Sequence, residues 1–322
     1  MSRQQLLSLI VSLVSSSVLA VSLFVALSLF GRGTRPAIGT RMEAWTDLRR
    51  VEYYDSSSGH DPGETVVLLA SLARPVSDFN ELARALAQAG YRTLAIESHG
   101  IGGTDGGGPF ETSTLHDLAR DVDSVLQASA PHRGARVHLI GHGFGNRVAR
   151  TFASDHPQRV QSLGLIAADG REPIPPEIEQ ARVRATLSFL PDALQEPALR
   201  LAFFADGNPI PDDWRNGWWL WGGMAQRVAE RSTDSADFWS GGEAPMLVVQ
   251  AEDDMLAPPQ AAGLPLKFEY PERVQLVGIA RAGHALLPEQ PERVADAVLE
   301  FLAAHPIAPS DERRDRRSAV HR

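Results

Sequence analysis

The chain has 322 residues, 43% of them hydrophobic and 22% charged, with 27 Gly, 22 Pro and no Cys. Such a chain is long enough for one large domain, or one domain carrying an insertion. The missing cysteine excludes disulfide scaffolds, thiolate zinc sites, iron–sulfur clusters and a cysteine nucleophile. A formal net charge of −9 argues for no nucleic acid partner, because phosphate binding needs a concentrated basic surface.

The N-terminal 1–35 reads as a signal or anchor. From Leu6 to Phe30 every residue is apolar or serine and none is charged, and at about 1.5 Å per helical residue this run is long enough to cross a bilayer. Arg3 supplies a short positive n-region, and Val18-Leu19-Ala20 and Ala26-Leu27-Ser28 carry the small residues of a signal-peptidase site. Arg32, Arg35 and Arg41 follow the run, which suits an uncleaved anchor equally well. The expected location is therefore membrane-anchored or exported, with a membrane as one partner.

Beyond Gly39 short apolar runs alternate with helical segments, the pattern of an α/β fold with a mostly parallel sheet. Strands are predicted over 51–54, 65–70, 91–96, 137–140, 162–167, 246–250 and 274–279, and helices over 76–89, 113–130, 144–154 and 291–304. The alternation breaks between Arg171 and Glu243, where seven prolines separate short helical pieces and five of the six tryptophans lie. This block is expected to be a helical cap, 171–243, inserted between two parts of one core, 45–170 and 244–304. The charged segment at 305–322 reads as a disordered tail.

The chemistry concentrates in four stretches. Val137-His138-Leu139-Ile140 leads into Gly141-His142-Gly143-Phe144-Gly145 and then a helix opening with Asn146-Arg147-Val148-Ala149. A buried strand feeding a glycine turn and a helix holds the central residue above the sheet beside helix-terminal N–H groups, where its side chain can attack a substrate. The second stretch is Ile96-Glu97-Ser98-His99-Gly100-Ile101-Gly102-Gly103-Thr104-Asp105. The third is the strand and acidic turn Met246 to Pro258, and the fourth runs from Ala282-Gly283-His284 to Val294.

In order and spacing these blocks resemble the α/β-hydrolase superfamily, of the AB hydrolase-1 type, over residues 50–304. The resemblance implies an α/β-hydrolase fold with an inserted cap. It also implies His284 as the catalytic base and Asp254 as its acid, with Asp253 the second choice. The family's turn is Gly-x-Ser-x-Gly, but here Gly143 occupies the nucleophile position. The family also shows His-Gly after its oxyanion strand, where this chain has Ala70-Ser71; N–H groups of Leu72 and Phe144 are the candidates for the oxyanion hole. His142, Trp218, Trp219 and Trp221 are the candidates to line a pocket for a small or medium apolar substrate.

Glycine has no atom with which to attack, and removing the nucleophile of a comparable triad costs about six orders of magnitude in turnover. Three alternatives follow. His284, held by Asp254, acts as general base on water or directly on substrate; a displaced hydroxyl, Ser71 or Ser98, replaces the missing one; or the domain binds an apolar ligand without turnover. Gly141-x-Gly143 also resembles the opening of a dinucleotide fingerprint, but Asn146 stands in place of the third glycine. No cofactor is expected. His138 and His142 straddle a strand end without an apparent third ligand, so no metal is expected either.

Overall fold

The structure, a computed structural model, describes residues 3–28, 34–47, 49–57, 63–107, 112–129 and 136–308. In chain order the elements before the middle of the sheet are α1 (Arg3–Ser28), β1 (Thr40–Trp45), β2 (Arg50–Asp55), β3 (Thr65–Leu69), α2 (Asn80–Gln88), β4 (Arg92–Ile96) and α3 (Leu115–Ser129). Next come β5 (Val137–His142), α4 (Phe144–Asp155) and β6 (Val160–Ile166), followed by five helices, α5 (Pro176–Ala185), α6 (Asp192–Phe203), α7 (Asp212–Asn216), α8 (Leu220–Arg231) and α9 (Ser235–Phe238). The chain closes with β7 (Met246–Ala251), α10 (Gly263–Glu269), β8 (Val274–Ile279), α11 (Leu286–Glu289) and α12 (Pro291–Ala304).

The eight strands form one sheet in the order β1-β2-β4-β3-β5-β6-β7-β8, antiparallel at β1, β2 and β4 and parallel from β4 to β8. This is the α/β-hydrolase fold the sequence led us to expect. Strands β4, β5 and β7 are buried at every position, as continuous apolar runs in a parallel sheet covered on both faces should be. Leu118, Val122, Val148 and Phe152 of α3 and α4 pack on one face, and Leu82, Leu86, Val298 and Phe301 of α2 and α12 on the other.

Strand β1 was not legible in the sequence: four of its first five residues are exposed and Arg41 and Glu43 interrupt its apolar character, which is what an edge strand looks like. The sheet therefore begins at Thr40, ahead of the expected core boundary at 45. At the other end, Gln161 Nε2 donates to His305 O and Pro306 O, and Ile307 N donates to Glu64 Oε1. Residues 305–307 of the expected tail are thus bonded to the core, and residues 309–322 lie outside the described residues.

The prolines between β6 and β7 start helices: Pro175, Pro191 and Pro211 immediately precede α5, α6 and α7. Their fixed φ suits a helix entrance, and there a missing N–H leaves no intrahelical bond unmade. The tryptophans divide between two settings. Trp214 and Trp218 pack with Phe203 and Phe204 into a core of this region's own, with ring centroids 5.1–5.5 Å apart. Phe238 and Trp239 instead join the sheet core beside α4.

Buried Arg74 joins these helices to the loop after β3. Its guanidinium is bidentate to Asp78 at 2.8 and 2.7 Å and donates to Asp213 O at 2.8 Å, with the rings of Trp214 and Trp218 stacked on it at 4.3 and 4.8 Å. The same loop donates from Ala73 N to Gln226 Oε1 and accepts at Ala73 O from Trp219 N.

Among the described residues, α1 is the one helix long and apolar enough to cross a membrane, with a mean hydropathy of 1.9 over Arg3–Ser22.

Candidate active site

The candidate catalytic and oxyanion groups follow the carboxyl ends of parallel strands, where loops of an open α/β sheet converge. Ser71 and Leu72 follow β3, Gly143 follows β5, Asp254 follows β7 and His284 follows β8.

The turn after β5 has the conformation expected of a nucleophile elbow. Gly143 caps α4 with φ +50° and ψ −115°, a left-handed backbone. A Cβ at Gly141 would run into the backbone of Gly145, and one at Gly145 into the carbonyls of Leu69 and Ala70. The flanking glycines therefore let the helix fold back tightly over the strand ends. Gly143 N donates to Ile166 O at 3.1 Å, and Asn146 Nδ2 to the same carbonyl at 2.9 Å, so the turn is tied to β6. Phe144, the first residue of α4, carries one of the N-terminal N–H groups that have no intrahelical acceptor.

Asp254 and His284 come together. His284 Nδ1 donates to Asp254 Oδ2 at 2.9 Å, while Asp254 Oδ1 accepts from Leu256 N and Ala257 N at 2.9 and 2.8 Å. Both side chains are buried. Asp254, rather than its neighbour Asp253, is thus the partner of the imidazole. With its proton on Nδ1, the ring presents Nε2 as the basic atom. That atom lies 2.9 Å from the point where a Cβ on residue 143 would sit. Burial works against protonation of His284, but the Asp254 carboxylate overcomes it and holds the pKa above the ordinary histidine value, with help from the charge of Asp169.

His142 was a candidate to line the pocket, and the structure corrects this. It is fully buried, its Nε2 donates to His284 O at 2.8 Å, and burial together with nearby His284 pushes its pKa down to about 4. A neutral ring here props the histidine loop from below. Trp218 is also withdrawn from the pocket, being 1% exposed with Nε1 donating to Trp214 O at 2.6 Å. The indole N–H has found its acceptor inside the helical core, where the ring stays. Trp219 and Trp221 are half-buried.

The cavity next to the site lies instead between α5, α8 and the loop after β3. It holds about 420 Å³, and Leu72, Val183, Leu220, Met224 and Val228 give it an apolar interior. Arg182, also in its wall, is close enough for its charge to oppose protonation of His284. Ser98 lines a separate cavity of about 20 Å³ shared with Phe144 and Gly145.

Three further residues support the site. Glu289 accepts from Gly283 N at 2.6 Å and Ala205 N at 2.8 Å, tying the histidine loop to the end of α6. Its place five residues after His284 was the available signal. The ring of Phe203, the last residue of α6, stands edge-on to His284 at 5.9 Å. Gln226 holds the loop after β3, and nothing in its local sequence marks it.

The sequence profile of the alpha/beta hydrolase family matches residues 66–297. The chain belongs to that family. It is similar, at 28% identity over 279 residues, to a 2-hydroxy-6-oxononadienedioate/2-hydroxy-6-oxononatrienedioate hydrolase of Burkholderia vietnamiensis, with 81% of this chain and 93% of that protein covered. The RutD protein of Variovorax paradoxus matches at 36% identity over 115 residues, a stretch spanning 34% of this chain and only 40% of that protein. Among solved structures, a bacterial membrane phospholipase A shares the fold with a TM-score of 0.66 at 19% identity, over 94% of this chain and 99% of that one.

Proposed function

We infer that this chain is a hydrolase in which the His284–Asp254 pair accepts a proton at the space left open by Gly143. One observation carries this reading: His284 Nδ1 is committed to Asp254 at 2.9 Å while Nε2 faces the place of the absent side chain on residue 143. A base so placed can deprotonate an attacking water or hydroxyl and return the proton to a leaving group. The N–H groups of Leu72 and Phe144 supply the oxyanion hole. The first follows the strand end clamped through Arg74 and Gln226, and the second opens α4.

Carboxylic esters are the substrate class that this constellation suits. The helices between β6 and β7 act as a cap, and the 420 Å³ cavity beneath them takes a small or medium apolar acyl group. The apolar α1 supports a protein anchored in, or exported across, a membrane.

The test is hydrolysis of p-nitrophenyl esters of increasing acyl length by the full chain in detergent micelles, beside His284→Ala. Turnover above buffer that falls at least about 10³-fold in the variant is expected. An apolar ligand bound tightly by a parent that turns over no ester would overturn the hydrolytic reading and favour a binding protein.

A further inference from the structure

The geometry points to Ser71 as the nucleophile, delivered to the site from the loop after β3 instead of from the elbow. The inference rests on the hydrolase reading above and names the group that His284 deprotonates.

Three observations converge on it. The place where a Cβ on residue 143 would sit is already taken by the Ser71 hydroxyl: that Cβ would collide with Ser71 Oγ and stand 3.3 Å from Ser71 Cβ, with His284 Nε2 2.9 Å away. The hydroxyl and the basic nitrogen thus border the same one-carbon space. Strands β3 and β5 are neighbours in the sheet, paired from Val66–His138 to Leu69–Gly141. Parallel strands lie about 4.8 Å apart, so a side chain of one carbon and one oxygen at the end of β3 reaches across to the end of β5.

The second observation is what the hydroxyl does not do. A serine in a tight loop ordinarily bonds to nearby backbone. Ser71 is 4% exposed, its carbonyl accepts from Arg74 N at 3.1 Å, and yet its Oγ has no hydrogen-bond partner among the described residues. The third is rigidity. The loop is fixed on its C-terminal side, Ala73 by Gln226 and Trp219 and Arg74 by Asp78 and Asp213, and on its N-terminal side by the pairing of β3 with β5. The hydroxyl and the imidazole border one space, and catalytic hydrogen bonds commonly close only when substrate arrives.

The chemistry balances without a further reactant. His284 Nε2 takes the proton of Ser71 Oγ as that oxygen bonds to the ester carbonyl carbon, and the developing oxyanion faces the N–H groups of Leu72 and Phe144. The bond to the alcohol oxygen then breaks, with the proton on Nε2 going to the alcohol. Water attacks the acylated Ser71 with His284 as base again, releasing the acid and restoring the hydroxyl.

The chain contains no cysteine, so Ser71→Cys introduces a single thiol whose reactivity can be read without knowing the substrate. We would measure its alkylation by iodoacetamide against pH, with His284 intact and with His284→Ala. In parallel, the parent, Ser71→Ala and Ser98→Ala would be treated with a fluorophosphonate, mapped by mass spectrometry and assayed on the ester panel. The expected results are alkylation at least tenfold faster near neutral pH when His284 is present, a single phosphonyl adduct on Ser71, and an ester hydrolysis loss of about 10³-fold or more in Ser71→Ala only. Ester turnover lost in His284→Ala but kept within tenfold in Ser71→Ala would overturn the inference and leave the hydrolase reading standing with water as nucleophile. His284-dependent alkylation of Ser71→Cys, with a parent inert on esters, would support Ser71 and overturn the ester substrate class. Alkylation indifferent to His284, or an adduct on another residue, would overturn the assignment of Ser71.

Discussion

The two halves of the site contrast sharply. After β7 and β8, Asp254 and His284 are paired, and a second tier holds each one: two N–H groups on Asp254, and Glu289 and His142 around the histidine loop. On β3 and β5 the backbone of the elbow is intact while its side chain is missing, and a hydroxyl from the adjacent strand stands in the gap. In the hydrolase proposed above, the relay and the attacking group are therefore separable. A base must be oriented by a partner and so needs a fixed pair of loops. An oxygen need only arrive within reach of that base, and two neighbouring strand ends can each bring one.

The largest expected effect comes from breaking the intact half. Asp254→Asn keeps the shape of the loop but replaces an acceptor of the Nδ1 proton with a group that can donate to that nitrogen, which favours the wrong tautomer and leaves Nε2 unable to accept. Comparable changes cost about 10⁴-fold in turnover, and a loss of at least 10³-fold in kcat is expected here. The pH profile should move as well. In the parent the carboxylate holds the His284 pKa above the ordinary value, so the active, unprotonated base appears only as pH rises through that raised pKa. Without the carboxylate, burial is the main influence left and disfavours the charged ring, so the residual activity should begin at lower pH. A profile whose acid limb stays in place would show that His284 is not the group titrating.

Most of the intact half could be read from the sequence, and the reasons are local. A parallel strand buried on both faces is a run such as Met246-Leu247-Val248-Val249, and the loop that follows can only be at the site end of the sheet. Asp254 and His284 were found through the resemblance of their stretches to the family's acid turn and histidine loop, which here follow β7 and β8. The other half could not be read in this way. Ser71 was one of two serines named as candidates, and no pattern separates it from Ser98, since both follow a central strand directly. What distinguishes them is the register of β3 against β5, a contact between residues 72 positions apart in the chain. Trp218 was misplaced for a related reason. Tryptophans near an active site look like lining, but Trp218 has an internal acceptor and a stacked guanidinium that keep it in a core. Most residues bounding the 420 Å³ cavity are ordinary positions on α5 and α8.

An intermediate effect is expected from moving the hydroxyl back. Gly143→Ser alone brings its Cβ against Ser71 Oγ and to 2.9 Å from the imidazole, so one or both must shift. The single variant should lose activity, by roughly tenfold or more, because a displacement of about 1 Å at a reacting centre can cost 10²-fold. Combining it with Ser71→Gly clears the space and restores the arrangement of the family's turn, and the pair should recover at least tenfold over Gly143→Ser on the same ester panel. Purely additive losses in the two substitutions would mean that the residues do not share one site. That outcome would remove the basis for comparing the two halves at all.

The smallest effect concerns stability, and it sharpens the contrast between two buried carboxylates. Asp254 is surrounded by N–H donors and an imidazole. Glu97, at the end of β4 beside the elbow, accepts from Val76 N at 3.2 Å but faces the charges of Glu52 and Asp78, and burial first, then those acids, pushes its pKa up to about 8. A folded-state pKa above the unfolded value of about 4.5 means that the native protein binds more protons between those limits. Stability is therefore lost as pH rises from about 4.5 to about 8, by an amount on the order of a few kcal/mol, and above that range the loss is complete. Glu97→Gln retains an acceptor for Val76 N and carries no charge, so its melting temperature should exceed the parent's by several degrees at pH 8.5 and match it near pH 4. Thermal unfolding of the two proteins across that pH range checks this. Parallel curves would show that Glu97 is already ionised in the folded protein, and that the elbow side of the site accommodates a buried charge as well as the side that holds Asp254.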